Sequence, residues 1–156
     1  MIHNTDMQPD DVLSRSACTY AALRRATRRL GQIYDEAVAA SGLKSTQVTL
    51  LYQVRRLEQP TVRQLANELV MDLSALGHTL KPLERDGLVQ LHTDTRDRRA
   101  KRVHLTESGN SKLDLALSLW QAVHRRSEEV LGENKAAELR EMLDWMASQG
   151  FAQRFV

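Results

Sequence analysis

The stretch from Val89 to Leu105 constrains this chain more than any other. Val89-Gln90-Leu91-His92-Thr93 and Lys101-Arg102-Val103-His104-Leu105 each alternate apolar and polar residues, the period of a strand with one buried face. The two runs pair as a hairpin, and Asp94 to Ala100 becomes its turn. At that turn Arg96, Arg98, Arg99, Lys101 and Arg102 outnumber Asp94 and Asp97, whereas a tip that only has to stay solvated would normally mix its signs. A cationic tip of this kind neutralises phosphates or enters a narrow minor groove.

The segment before the hairpin supplies what such a tip works with. Asp72 is a good helix N-cap, Gly87 a good residue just past the helix end, and Leu88 the apolar contact that often follows. At about 100° per residue, Leu73, Leu76, Leu80 and Leu83 fall in one stripe, while Ser74, His78, Lys81 and Arg85 cluster nearly opposite. One face packs, and the other offers donors to base edges or phosphates, with Gly77 leaving room for a groove wall. A solvated polar face is the commoner fate of such residues, so the neighbouring elements carry the reading. Pro82 removes the hydrogen bond to the carbonyl of His78, and a kink is expected there.

Those neighbours are short helices. Residues 1–10 read as a loose polar arm, and Asp11 to Ala40 carries a long helical pattern that Gly42 ends. Ser45 is expected to cap a second helix through about Leu57, stopped by Pro60. Thr61-Val62-Arg63-Gln64 has the form of a capping box and opens a third helix to about Val70. Two short helices, a reading helix and a basic hairpin follow the order of a winged helix-turn-helix.

Beyond the hairpin, Thr106 caps a helix through about Leu131, Gly132 breaks it, and Glu133 to Ser148 forms another. Leu113, Leu117, Trp120, Val123 and Leu131, then Leu139, Met142, Leu143 and Met146, make apolar stripes that outgrow the small core. A second copy of the chain is the expected cover. Phe151 and Phe155 strengthen this expectation, with docking inside the same chain as the rival.

The chain of 156 residues holds one domain, 1–156, and its fold class is mainly α (α+β). The expected architecture is a winged helix-turn-helix core at 43–105 with a two-stranded β-wing, flanked by N- and C-terminal dimerisation helices at 11–40 and 106–156. A formal net charge of +2 is too small to argue for nucleic acid, so the placement of the cations must do so. One cysteine rules out an intrachain disulfide, and no apolar run suggests export or a membrane partner, so a cytoplasmic location is expected. There is no Gly-rich phosphate loop and no GxSxG elbow, and the chain is not read as an enzyme. His92 and His104 are expected to come near each other across the hairpin. His3, His78 and His124 are scattered, and with no zinc-ligand spacing in the sequence neither a metal nor a cofactor is expected.

Leu65-Ala66 through Met71-Asp72-Leu73-Ser74-Ala75-Leu76, then Leu80-Lys81-Pro82-Leu83-Glu84-Arg85-Asp86-Gly87-Leu88-Val89, the Asp94-x-Arg96-Asp97-x-Arg99 wing, and Leu105-Thr106-Glu107-Ser108-Gly109 together resemble the multiple-antibiotic-resistance regulator (MarR) family. The resemblance covers nearly the whole chain. It implies a homodimer that binds a pseudo-palindromic double-stranded DNA operator, usually as a repressor released by a small anionic or phenolic ligand or by oxidation. It implies Ser74, Gly77, His78 and Lys81 in the major groove, the wing tip of Arg96, Arg98 and Arg99 at the minor groove, and Asp97 with Arg99 bracing the wing. Leu73, Gly77 and His78 depart from the polar residues or Arg common on the family's reading helix.

The resemblance also implies an effector pocket between the dimer helices and the winged domain. Tyr20, Arg24, Arg28, Tyr34 and Tyr52 suit an unknown small-molecule effector such as an aromatic carboxylate, although core Tyr or surface Arg is the simpler reading of each. Some relatives sense peroxide with one cysteine near the start of the first helix, so Cys18 supports a thiol-based alternative. The spacing is not the sensors' usual one, and a lone cysteine is more often a small buried hydrophobe. A winged-helix protein-docking module is the remaining alternative, and it would have no need of the wing cations.

Overall fold

In the computed structural model residues 18–156 are described, and they form seven α-helices and one antiparallel two-stranded sheet. The order is α1 (Thr19–Val38), a 3-10 turn, α2 (Ser45–Arg56), α3 (Val62–Glu68), α4 (Leu73–Arg85), β1 (Val89–Thr93), β2 (Lys101–Leu105), α5 (Glu107–Leu131), α6 (Glu133–Ala147) and α7 (Gln149–Ala152). The readings of residues 1–10 and of 11–17, with His3, lie outside the described residues.

Helix ends largely follow the sequence chemistry, with instructive exceptions. Helix α1 does not run unbroken from Asp11, because Cys18 is extended and acts as its N-cap, its Sγ accepting the Ala21 N–H at 3.5 Å. Ser45 is the first helical residue of α2 rather than its cap. Its N–H goes to Asp35 Oδ1 at 2.7 Å, and Gln47 reaches back to the Lys44 N–H at 2.8 Å. The capping box at Thr61 and Gln64 forms as expected, with bonds of 2.8 and 3.1 Å. Helix α3 nevertheless stops at Glu68, short of Val70, whose φ of 52° is left-handed and incompatible with continuing the helix.

The hairpin is in register as Val89↔Leu105, Leu91↔Val103 and His92↔Arg102. Its inner face puts Val89 and Val103 into a core with Leu51, Val54, Leu65, Leu76, Leu80, Leu83 and Leu113. Burying side chains of this size contributes about 1.5–3 kcal/mol each, so the winged unit is held by α2, α3, α4, the sheet and the first turns of α5 together. Across the chain, Tyr34 of α1 packs on Trp120 of α5 with ring centroids 4.3 Å apart. The C-terminal tail is helical: Phe151 meets Trp145 edge-on at 4.7 Å and Phe155 meets Phe151 at 5.0 Å. Phe151 therefore docks within its own chain, while Phe155 stays exposed. Among the described residues no helix is long and apolar enough to cross a membrane.

Candidate nucleic-acid interface

Helix α4 is fixed at both ends by its own sequence. Asp72 accepts the Ala75 N–H at 2.7 Å, and at the other end Gly87 adopts φ 70°, so that Leu88 N–H reaches the Leu83 carbonyl at 2.8 Å and Gly87 N–H the Glu84 carbonyl at 3.0 Å. This double bond pattern is the Schellman ending that a glycine makes possible. Helix α4 runs on through Pro82 to Arg85. Leu76, Leu80 and Leu83 are buried, whereas Leu73 is about half exposed, so the predicted stripe is buried at three of its four positions. Ser74, His78, Lys81 and Arg85 are exposed on the other side. A Cβ built at Gly77 would meet nothing within 4 Å, so the fold itself does not require glycine there.

The wing is organised around a buried carboxylate. Asp94 exposes only 5% of its surface and accepts the backbone N–H groups of Arg96 at 2.7 Å and Asp97 at 2.9 Å. Its second oxygen pairs with Arg102, and Arg102 also donates to the Gln59 carbonyl at 2.8 Å. The two backbone N–H groups, reinforced by Arg102, hold the Asp94 carboxyl below its ordinary pKa. Asp97 also contributes, through its carboxylate to the Arg99 N–H at 2.9 Å and its carbonyl to the Ala100 N–H at 2.9 Å. The side-chain ion pair that braces the wing joins Asp94 to Arg102, while Asp97 and Arg99, the expected brace, meet through the Arg99 N–H and the Asp97 carboxylate. Arg96, Arg98 and Arg99 are exposed at the tip.

The wing shares one concavity with the starts of α3 and α4. Thr61, Val62 and Arg63 from the start of α3, Leu73 from the start of α4, and Leu91, Asp97, Arg99, Ala100 and Lys101 from the hairpin line a single open groove. Arg63 is an exposed cation on this wall that sequence reasoning passed over; its place just after the capping box was the available signal.

Gly109 fixes where the hairpin meets α5. Thr106 donates its hydroxyl to the Gly87 carbonyl at 2.7 Å and its N–H to the Leu88 carbonyl at 3.1 Å, and it caps α5 by accepting the Gly109 N–H at 2.9 Å. The Leu-Thr-x-x-Gly motif is therefore a weld between the exit of α4 and the long helix that follows.

The expected effector residues are only partly gathered. Arg24 donates to the Tyr20 hydroxyl at 2.8 Å and lies over its ring at 5.6 Å from the centroid, and Arg28 is exposed on the same helix. Tyr34 instead turns to Trp120, and Tyr52 sits exposed on α2. Cys18 is half-buried at its cap.

A helix-turn-helix carrying a basic two-stranded wing defines a winged-helix architecture, and comparison with known proteins gives the same result. The MarR family model matches residues 43–101. The transcriptional regulator MosR of Mycobacterium tuberculosis, in a structure with DNA, is 31% identical, with 88% of this chain and 98% of that one covered at a TM-score of 0.79. The transcriptional repressor CouR of Rhodococcus jostii, bound to a 23-mer DNA duplex, is 25% identical, covering 92% of this chain and 100% of that one at a TM-score of 0.77. CouR bound to p-coumaroyl-CoA shares the fold at a TM-score of 0.73 and 23% identity over 87% of this chain and 96% of that one. The chain belongs to the MarR family of transcriptional regulators.

Proposed function

We propose that this protein is a cytoplasmic homodimeric repressor that holds a pseudo-palindromic operator and lets go when a small aromatic or anionic ligand binds. The groove lined by the start of α3, Leu73 at the start of α4 and the wing supports this reading, because it brings the cations Arg63, Arg99 and Lys101 together beside the first turn of α4, whose Ser74, His78 and Lys81 are exposed. On DNA, Ser74, Gly77, His78 and Lys81 meet the major groove, while Arg96, Arg98 and Arg99 meet phosphates or the minor groove.

Dimerisation is supported by apolar side chains left on the outer helices. Leu30 and Ile33 of α1, Leu139, Met142 and Trp145 of α6, and Phe155 are all more than two-fifths exposed, apolar surface that a second copy would cover. A two-fold pair would set two reading helices about 34 Å apart, one duplex turn. Each winged unit is welded to α5, so a ligand that favours one arrangement of the outer helices changes the spacing of the heads and hence the fit to two half-sites. The complex of CouR with p-coumaroyl-CoA makes an aromatic acyl thioester a reasonable first effector to try.

Selection of duplexes from a random pool, then titration of the winner against salt, tests the reading. An inverted repeat with steep salt dependence supports it, and release of that duplex by aromatic acids or their thioesters supports the effector half. Weak binding at every salt, with no enriched sequence, would overturn it.

A further inference from the structure

The outer face of the wing holds a pair of imidazoles outside the residues proposed to read DNA. His92 and His104 sit on facing strands, diagonal to one another, since His92 pairs in register with Arg102 and His104 with Gln90. Their ring centroids are 4.7 Å apart at an interplanar angle of 82°. His92 is exposed, His104 is half-buried, and His92 Nε2 lies 3.3 Å from Gln90 Oε1. A depression lined by His92, Asp94 and Gln59 and another lined by Glu58, Arg55 and Asn110 both include His104.

We infer that His92 and His104 form a two-histidine site for a borderline divalent transition metal, of the Cu2+, Ni2+ and Zn2+ class. The spacing carries the inference. With metal to nitrogen bonds of about 2.0–2.1 Å, two imidazoles on one ion in tetrahedral or square geometry have centroids about 4.5–5.2 Å apart, and the observed 4.7 Å falls inside that window. Turning each ring about its last torsion is enough to aim a nitrogen at the shared ion, and the exposure of His92 permits it. Gln90 Oε1 and water are available for the remaining positions.

Charge is balanced enough to admit a cation. Arg102 faces His92 across the strands, but its guanidinium is paired with Asp94 and donates to the Gln59 carbonyl. Arg55 is likewise paired with Asp114, at 2.6 Å, and Arg96 at the tip is the other nearby cation. Among the described residues no group of three His, Cys, Asp or Glu is arranged for a metal, so the site has two imidazoles and open positions, an arrangement that favours nitrogen-seeking ions over Mg2+ or Ca2+. An ion there ties β1 to β2 below the tip and stiffens the element that carries the arginines.

Calorimetric titration of the whole chain with Cu2+, Ni2+ and Zn2+, with His92→Asn and His104→Gln as variants, tests the site. Saturable binding that weakens at least about tenfold in either variant, and that Mg2+ and Ca2+ do not displace, is the expected result. Binding unchanged in both variants would place the ion elsewhere, and no binding by the parent would leave the pair as a packing contact between strands; either overturns the inference. Because His104 is half-buried and its variant can lose structure, paramagnetic broadening by Cu2+ in the unmodified protein gives a second reading. It must centre on the His92 and His104 ring signals, and broadening centred on other histidines sinks the proposal.

Discussion

The Leu88 carbonyl oxygen lies 2.0 Å from where a Cβ on Gly109 would stand, a distance that no real side chain tolerates. Both partners are backbone, held by the Thr106 bonds to Gly87 and Leu88, so neither can swing aside. Gly109→Ala gains about 1 kcal/mol of helix propensity. It meets an overpacking cost at or above the upper end of the usual range of about 1–3 kcal/mol, so a net loss of about 2 kcal/mol is expected in denaturant unfolding. A variant as stable as the parent would show that α5 can slide away from the hairpin.

The Asp94 brace makes the wing sensitive to acid. The folded-state pKa of this carboxyl is below the unfolded value of about 3.9, so its contribution is complete above that value and is lost as pH falls through the lower, folded one. Asp94→Asn should therefore be less stable than the parent by a constant margin from neutral pH down to about pH 4, and the margin should close below that. The check is a series of unfolding curves across this range. A margin that varies between pH 5 and 7 would assign the effect to another group.

Residues near in sequence and residues distant in sequence differed sharply in how well they could be read. The ends of α4, the Thr61 capping box, the hairpin register and the exposed Ser74, His78 and Lys81 all follow from neighbours within a few positions. The Arg102 bond to the Gln59 carbonyl spans 43 residues, and no local pattern announces it. Glu58 and Gln59 take φ of 50° and 67° without being glycine, a strained turn tied to β2 by Arg102 and by the Val103 N–H to the Pro60 carbonyl. Tyr34 illustrates the same limit at the candidate effector site: its type suits a ligand, and only the packing of α1 on α5 reveals Trp120 as its neighbour.

Gly77 separates stability from recognition. It lies inside α4, where Ala is the better helix former by about 1 kcal/mol, and a Cβ there meets nothing of this chain within 4 Å. Gly77→Ala should thus raise stability by about 1 kcal/mol while weakening operator binding, because in the proposed complex the added methyl points into space that the groove wall would occupy. Thermal unfolding and fluorescence anisotropy on the selected duplex measure the two effects. Equal affinity with increased stability would remove Gly77 from the interface.

In the proposed interface Arg98 and His78 read different features of the duplex. Arg98→Ala should weaken binding to all duplexes and reduce the salt slope by about 1, as expected for a lost phosphate or minor-groove contact. His78→Ala should instead alter preference at one position of each half-site, with little change in salt slope. Repeating the duplex selection with both variants distinguishes the two patterns, and identical selections from parent and variants would misplace both residues.

Assembly can be separated from folding because the apolar side chains that support it are exposed in the single chain. Met142 is 54% exposed and Leu143 36%, so charging them removes little from the core that holds α2, α4 and the sheet. In the proposed dimer the same change buries a carboxylate without a partner, which association cannot offset. Met142→Glu with Leu143→Glu should therefore sediment as a monomer with an intact thermal transition. Its affinity for the full operator should fall at least about 100-fold, since two linked heads then become independent ones, while binding to an isolated half-site stays unchanged. A variant that remains a dimer would move the interface to another face, and one that binds the full operator as before would show that each head reads alone.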